Sequence, residues 1–118
     1  MSKNRGDIAE KIAQKYIRRQ SLKILVANYT SRWGEIDLIA LDNDILVFIE
    51  IRYRKSTDYG AALETVDSNK QHRIIQTAQY FLLNHPQYEK LDARFDLVAL
   101  TGDLKKPAIE WFKAAFIM

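Results

Sequence analysis

The stretch from Gly34 to Arg54 constrains the fold more than any other, because it has the pattern of two β-strands joined by a short polar turn. Residues 45–49 are apolar on both faces, as expected of a central strand covered on both sides. Two acids, Asp37 and Glu50, nevertheless lie in these strands. An isolated buried carboxylate is very unfavourable, so each acid requires a partner, a metal ion or a solvent-filled cleft.

The turn sets the register of the two strands. If Asn43-Asp44 are its two central residues, Asp42 pairs with Ile45. The same register puts two facing pairs on one side of the sheet, Asp37 opposite Glu50 and Glu35 opposite Arg52. Facing side chains have Cβ atoms about 5 Å apart, so two carboxylates would repel unless a divalent cation lies between them. A three-residue loop would instead put the acids on opposite faces.

Hydrophobic periodicity predicts the other elements. A helix is expected over 6–20, strands over 21–29, 34–41 and 45–53, a helix over 68–84, and strands over 93–100 and about 108–113. Ser68 and Gln71 have capping-box spacing at the start of the second helix, and Pro86 follows its end. The order of helix, three strands, helix and two strands predicts an α/β (α+β) sandwich with helices packed on a central sheet.

Composition limits the classes of protein. The 118 residues predict one domain over 1–118, and 47% apolar and 28% charged residues are typical of a soluble globular protein. No apolar run approaches the roughly 18 residues of a membrane span, and no signal-peptide pattern opens the chain. The absence of cysteine excludes disulfides, thiolate zinc sites and cysteine nucleophiles, and favours the cytoplasm. A net charge of +3 is compatible with nucleic-acid binding.

The acids suggest a metal-dependent phosphodiester hydrolase. Asp37 ends one strand, Glu50 and Arg52 end the next, and Glu10 lies at the edge of the apolar stripe of the first helix. Carboxylates hold Mg²⁺, which neutralises phosphate charge and lowers the pKa of a bound water. Two blander interpretations stay open. Glu10 could be a solvated helix acid, and the strand residues could form an internal ladder in which Arg52 neutralises Glu35 and Glu50, although such a ladder adds little net stability.

Other side chains are placed by the helical stripe and by residue type. Lys70 extends the apolar stripe of the second helix and is expected to point toward the sheet, whereas Gln76 and Tyr80 fall on the opposite face and should be exposed. Trp33 and Trp111 are interpreted as core or sheet anchors in preference to base-stacking platforms. Basic residues flank the acids and could bind a DNA backbone through non-specific charge, namely Arg18, Arg19, Lys23, Arg54, Lys55 and Arg73.

Several stretches together resemble one known family. They are Gly6-x-x-x-Glu10, Gly34-Glu35-Ile36-Asp37-Leu38-Ile39-Ala40, Val47-Phe48-Ile49-Glu50-Ile51-Arg52-x-Arg54, Lys70 and Arg94-Phe95-Asp96. Over nearly its whole length the chain resembles the YraN-like family, small bacterial proteins of the PD-(D/E)XK nuclease superfamily. The resemblance implies a restriction-endonuclease-like three-layer sandwich with a mixed central sheet. It also implies similarity to Holliday-junction resolvases, and hence metal-dependent cutting of branched DNA; the apolar C-terminal tail and exposed strand edges are compatible with a homodimer.

The resemblance assigns roles by position. Asp37 and Glu50 would bind Mg²⁺ or Mn²⁺, and Glu10 would be an accessory acid. The family pattern Glu-Val-Lys-x-Arg departs at Arg52, which keeps the charge but cannot release a proton near neutral pH. Lys70 could then supply an ammonium from the second helix. The nucleic-acid contacts would come from Arg52, Arg54, Lys55 and Arg73. Two functions stay open, a Mg²⁺- or Mn²⁺-dependent nuclease and a nuclease-fold protein that binds nucleic acid or a protein partner without cleavage.

Overall fold

The computed structural model describes residues 2–55 and 66–117, with residues 2–5 described by their backbone alone. The elements are α1 (Ser2–Arg19), β1 (Lys23–Ser31), β2 (Gly34–Asp42), β3 (Ile45–Arg54), α2 (Ser68–Asn84), a short 3₁₀ helix (Pro86–Tyr88), β4 (Asp92–Thr101) and β5 (Ala108–Phe116). The predicted order is therefore confirmed. Most of the loop expected between β3 and α2 lies outside the described residues.

The strands form one five-stranded sheet in the order β1-β2-β3-β4-β5. β3 and β4 are parallel, and the other three neighbouring pairs are antiparallel. Parallel neighbours need a crossover, and α2 lies in the chain between these two strands. The sheet is thus mixed, as expected, with β3 at its centre.

Each face of the sheet is covered by one helix. Ala9, Ala13 and Ile17 of α1 pack on one face, in a cluster with Leu38 and Val47. On the opposite face, α2 contributes a second cluster with sheet residues, formed by Ile74, Ala78, Phe81, Phe48, Phe95 and Leu97. Because both faces are covered, every residue of β3 from position 46 to position 51 is buried. This confirms the α+β three-layer arrangement and fits a nuclease-like fold.

The β2–β3 turn has the predicted register. Asp42 pairs with Ile45, and the ladder continues to Leu38 opposite Ile49. Asn43 occupies the left-handed region with φ 55°, a conformation that asparagine tolerates better than most residues. The two-residue turn therefore decides which side chains of β2 and β3 share a face.

The start of α2 corrects one detail of the sequence interpretation. The N-cap is Asp67 and not Ser68, because the Asp67 carboxylate accepts a hydrogen bond from the Lys70 N–H at 2.9 Å. The Gln71 side chain donates to the Val66 carbonyl instead of closing a capping box. The helix ends at Asn84, as predicted from the following His85-Pro86. Neither of the two described helices is long and apolar enough to cross a membrane.

A buried polar network joins β4, β5 and the β2–β3 turn. Asp96, with no exposed surface, accepts hydrogen bonds from Arg94 Nε (3.1 Å), Trp111 Nε1 (2.8 Å) and the Ala114 N–H (2.9 Å). Arg94 also pairs with Asp42 at 2.8 Å. These contacts make Trp111 a sheet anchor, and they hold β5 where its register with β4 shifts. The Arg94-Phe95-Asp96 segment is therefore structural.

Replacing Asp96 with alanine should destabilise the protein by about 3–5 kcal/mol, because the Trp111 and Ala114 N–H groups lose their acceptor and the half-buried Arg94 guanidinium keeps only Asp42 as a partner. Urea unfolding measures the change. Asp92→Ala, at the exposed start of the same strand, is the matched control and should stay within about 0.5 kcal/mol of wild type. Equal stabilities of the two variants would contradict the role given to this network.

Candidate metal centre

The two acids of the hairpin lie where β2 and β3 cease to pair. The ladder ends at Leu38 opposite Ile49. Beyond it, the Ile51 N–H donates to Asp37 Oδ2 at 2.8 Å. A side-chain carboxylate thus takes a backbone donor at the point where the two strands separate. This contact holds Asp37 half-buried beside the end of β3.

Glu50 is the most constrained acid of the site. It is 4% exposed, and its Oε2 accepts a hydrogen bond from Arg52 Nη2 at 3.2 Å. Its Oε1 is buried and has no hydrogen-bond partner among the described residues. Burial and, second, the charge of Asp37 raise the pKa of Glu50 to about 8, against the lowering effects of Arg52 and of the Asp37 backbone N–H. A buried carboxylate oxygen without a partner is rare and calls for a specific explanation.

Asp37 and Glu50 line one cavity of about 270 Å³, here called the acidic cleft. Its other lining residues are Gly34, Glu35, Arg52, Lys70, Arg73 and Ile74. The site fits a hard divalent cation, since Mg²⁺ and Mn²⁺ favour carboxylate and water oxygens and no described residue hydrogen-bonds to the buried Glu50 Oε1.

A second acidic cluster adjoins the cleft on the side of α1. Carboxylate oxygens of Glu10, Glu35 and Asp37 lie within 4.8 Å of one another. Asp37 also lines a cavity of about 390 Å³ with Glu10 and Arg52, so it stands between the two spaces. Burial first, and then the neighbouring carboxylates, raise the pKa of Glu10 and of Glu35. Burial also raises the pKa of Asp37, opposed by the Ile51 N–H and by Arg52.

Asn28 bridges two of these acids. With its amide nitrogen directed toward them, Asn28 donates to Glu10 Oε1 at 2.7 Å and to Glu35 Oε1 at 2.8 Å. Its backbone has φ 57°, in the left-handed region, in the middle of β1. The sequence interpretation missed both Glu35 and Asn28 as site residues. The hairpin register already put Glu35 on the side of Asp37, whereas nothing in the sequence indicated the role of Asn28.

The basic side chains form two groups, those that line the acidic cleft and those that lie outside it. Lys70 and Arg73 reach the acidic cleft from α2, as predicted for Lys70. Arg52 folds back on its own strand, with Nη1 donating to the Ile51 carbonyl and Nη2 to Glu50. No ion pair joins Arg52 to Glu35 among the described side chains, so only half of the predicted ladder is present.

The remaining predicted DNA contacts lie at the end of β3. Arg54 is exposed, and its carbonyl accepts a hydrogen bond from Gly102. Lys55 is also exposed and lines a separate cavity with Tyr53 and Gly102. The structure therefore brings Asp37, Glu50, Arg52, Lys70 and Arg73 together around the acidic cleft, with Glu10 adjoining it, and leaves Arg54 and Lys55 beyond the end of that group.

We predict that the metal-free protein loses stability as the pH rises. Glu50 has a pKa of about 8 in the folded protein and an ordinary value of 4.5, so between these values the folded state binds more protons than the unfolded state. The stabilisation contributed by Glu50 is fully present below pH 4.5 and is lost as the pH rises through about 8. A loss on the order of a few kcal/mol is expected. Urea unfolding with a chelator, at about pH 5 and about pH 8, measures it.

Glu50→Gln should be less sensitive to pH, because glutamine resembles the protonated acid at every pH. Some dependence should remain, since the pKa values of Glu10, Glu35 and Asp37 are raised in the same direction. Glu89→Gln, at an exposed position, should keep the slope of the wild type. A Glu50→Gln protein with an undiminished slope would show that Glu50 does not titrate in this range.

The comparisons with known proteins identify one family. The model of the uncharacterised protein family UPF0102 matches residues 9–100, which include Glu10, Asp37 and Glu50. The chain is 44% identical to the UPF0102 protein of Alcanivorax borkumensis, over 97% of this chain and 92% of that protein. It is 41% identical to the UPF0102 protein of Stutzerimonas stutzeri (98% and 96% covered) and 41% identical to the UPF0102 protein YraN of Escherichia coli O1:K1 (98% and 86% covered). The chain therefore belongs to the UPF0102 family, as its resemblance to YraN-like proteins predicted.

Proposed function

We propose that the acidic cleft binds Mg²⁺ or Mn²⁺ and hydrolyses phosphodiester bonds of DNA. The observation that carries the proposal is the buried Glu50 Oε1, which has no hydrogen-bond partner among the described residues and lies beside Asp37 in an open cleft. An acid with a purely structural role would have its oxygens satisfied by the protein. A bound divalent cation would supply the missing partner of Glu50 Oε1 and would remove the repulsion between the two carboxylates.

The acids of the site would have different roles. Asp37 and Glu50 would hold the cation, which when bound neutralises phosphate charge and lowers the pKa of a water molecule. The Ile51 N–H fixes Asp37 at one oxygen, so its carboxylate is already oriented. Glu10 adjoins Asp37 from α1 and would help to hold the cation or a bound water.

The basic side chains would bind the DNA strand. Lys70 and Arg73 line the cleft and can contact the scissile phosphate, whereas Arg54 and Lys55 can hold the backbone further along. Lys70 has a compact ammonium with three donors, the group that Arg52 does not provide. Cutting of branched DNA, and a homodimer that would do so, are proposals that rest on the family resemblance.

Purified protein should cut DNA only when Mn²⁺ or Mg²⁺ is added, and Asp37→Ala should lower cleavage at least about 100-fold because one cation ligand is lost. The assay compares linear, single-stranded and four-way-junction DNA. Asp44→Ala, an exposed acid in the same hairpin, is the control and should cut like wild type. Mn²⁺ should also raise the stability of the wild type and not that of Asp37→Ala. Unchanged cation affinity in Asp37→Ala would exclude the proposed metal site.

A second candidate function is binding to nucleic acid or a protein partner without cleavage. The observation in its favour is Arg52, which replaces the expected lysine and is held by Glu50 and by its own strand. An arginine cannot transfer a proton near neutral pH, but it can still neutralise Glu50 and contact phosphate. Cleavage would then require Lys70 to supply the ammonium that Arg52 lacks.

If the Lys70 ammonium takes the place of the lysine expected at position 52, Lys70→Ala should lower cleavage about 100-fold, because a positioned proton donor or cation typically contributes at least that factor. Single-turnover cleavage of labelled DNA measures the loss. Lys90→Ala, an exposed lysine outside the cleft, should have no effect. Wild-type protein that binds DNA without cutting it, together with cleavage gained in Arg52→Lys, would favour the second candidate.

A further inference from the structure

The turn between β1 and β2 carries an aromatic pair at the protein surface. The turn consists of Arg32 and Trp33. The aromatic pair is Trp33 and Tyr80 of α2, whose ring centres are 5.6 Å apart at an interplanar angle of 60°. Tyr80 is 41% exposed, as the sequence predicted, and Trp33 is only half-buried. Together with Thr30 and Ser31 these residues line a cavity of about 420 Å³. We call Trp33 and Tyr80 the aromatic platform.

A chain of hydrogen bonds fixes this turn to α2. The Trp33 N–H donates to Ser31 Oγ at 3.1 Å, and Ser31 Oγ lies 3.0 Å from Thr77 Oγ1. Thr77 is fully buried and donates its hydroxyl proton to the Arg73 carbonyl at 2.9 Å. The single hydroxyl proton of Ser31 is shared between Thr77 Oγ1 and the Gly34 carbonyl, which lies 3.3 Å away. The backbone of the turn that carries Trp33 is therefore tied to α2.

The platform and the acidic cleft are formed by neighbouring residues of the same two elements, the β1–β2 turn and α2. Gly34 follows Trp33 directly and lines the cleft, and Arg73 lines the cleft while its carbonyl ends the hydrogen-bond chain. From Arg73 to Tyr80 the distance along α2 is about 10 Å, the length of about three stacked nucleotides. A strand with a phosphate in the cleft can thus bring a base of the same strand to the platform.

The surroundings of Trp33 differ from those of a core anchor. Trp111 is such an anchor, since its Nε1 donates to the buried Asp96 and its ring packs edge-on against Tyr16. Trp33 has the exposed Arg32 guanidinium 4.7 Å from its ring centre, and Trp111 likewise has Lys113 Nζ at 4.4 Å. The cation alone therefore does not distinguish the two rings; what distinguishes Trp33 is its contact with the exposed ring of Tyr80. Aromatic rings beside cations are the usual elements that bind unpaired bases and their phosphates.

We propose that the aromatic platform stacks an unpaired nucleobase of the DNA strand whose phosphate occupies the acidic cleft. This inference rests on the proposed function and narrows its substrate to DNA with unpaired nucleotides near the cleavage site, such as single-stranded tails and branch points. A base within a duplex is already stacked on its neighbours and would first have to leave the helix. The positive charge of Arg32, Lys70 and Arg73 favours a nucleotide over an uncharged apolar ligand.

The test measures binding of wild type and variants to three DNA probes by fluorescence anisotropy, with Ca²⁺ as the oxygen-binding cation. The probes are a blunt duplex, the same duplex with a short single-stranded tail, and the same tail built from abasic nucleotides. The two tails carry equal phosphate charge and differ only in their bases. Wild type should bind the base-bearing tail about 5- to 100-fold more tightly than the abasic one.

Trp33→Leu should abolish this difference without weakening the binding of the abasic tail, whereas Trp33→Phe should keep most of it because a ring remains. Tyr80→Leu, at an exposed helix position, is the second variant if Trp33→Leu fails to fold. Leu83→Ala, exposed on the same helix, is the control and should bind like wild type.

Equal binding of the two tails by wild type, or a difference that survives in both Trp33→Leu and Tyr80→Leu, would overturn the aromatic platform and leave the proposed nuclease intact. Failure of wild type to bind any of the three probes would overturn the proposed function, and this inference with it.

Discussion

Glu50 lies in the central strand of the sheet, and its carboxylate is held beside Asp37. One of its oxygens is bonded to Arg52, and the other has no partner among the residues that the structure describes. Burial of this kind raises the free energy of the ionised acid, which explains why its pKa rises to about 8. Most of the site can be understood as a response to this charge. Arg52 lies against it, Lys70 and Arg73 face it across the cleft, and the gap between β2 and β3 gives it access to solvent.

Asp96 offers an internal comparison, because it is a second acid buried in the same sheet. Its two oxygens accept hydrogen bonds from Arg94, Trp111 and the Ala114 backbone, so its charge is fully compensated by the protein. Within residues 2–55 and 66–117, Glu50 has one ion pair and one oxygen without a hydrogen-bond partner. The contrast separates an acid that stabilises the fold from one that is left with capacity for a ligand, although both belong to stretches by which the chain resembles its family.

The site also depends on departures from regular β-structure. Asn28 adopts a left-handed conformation within β1 and bridges Glu10 with Glu35, which ties α1 to the sheet at the acids. The β1–β2 turn is tied in the same way to α2 through Ser31 and Thr77. Both irregularities lie at one end of the sheet, where side chains from different elements converge. Rigid support from two helices keeps groups of like charge close together in the absence of a cation.

Local patterns determined the element order, the covered central strand and the β2–β3 register, since alternation and a two-residue turn are properties of neighbouring residues. That register sufficed to predict Asp37, Glu35, Glu50 and Arg52 on one side of the sheet. Helical periodicity put Glu10 at the edge of the packed face and Lys70 toward the sheet, and the family resemblance gave both residues a role. Only the tertiary structure decided that Glu35 and Asn28 join Glu10, that Arg52 folds onto Glu50, and that Trp33 meets Tyr80. Those contacts join residues far apart in the chain, and their geometry depends on how two helices pack on a twisted sheet, which periodicity in the sequence does not specify.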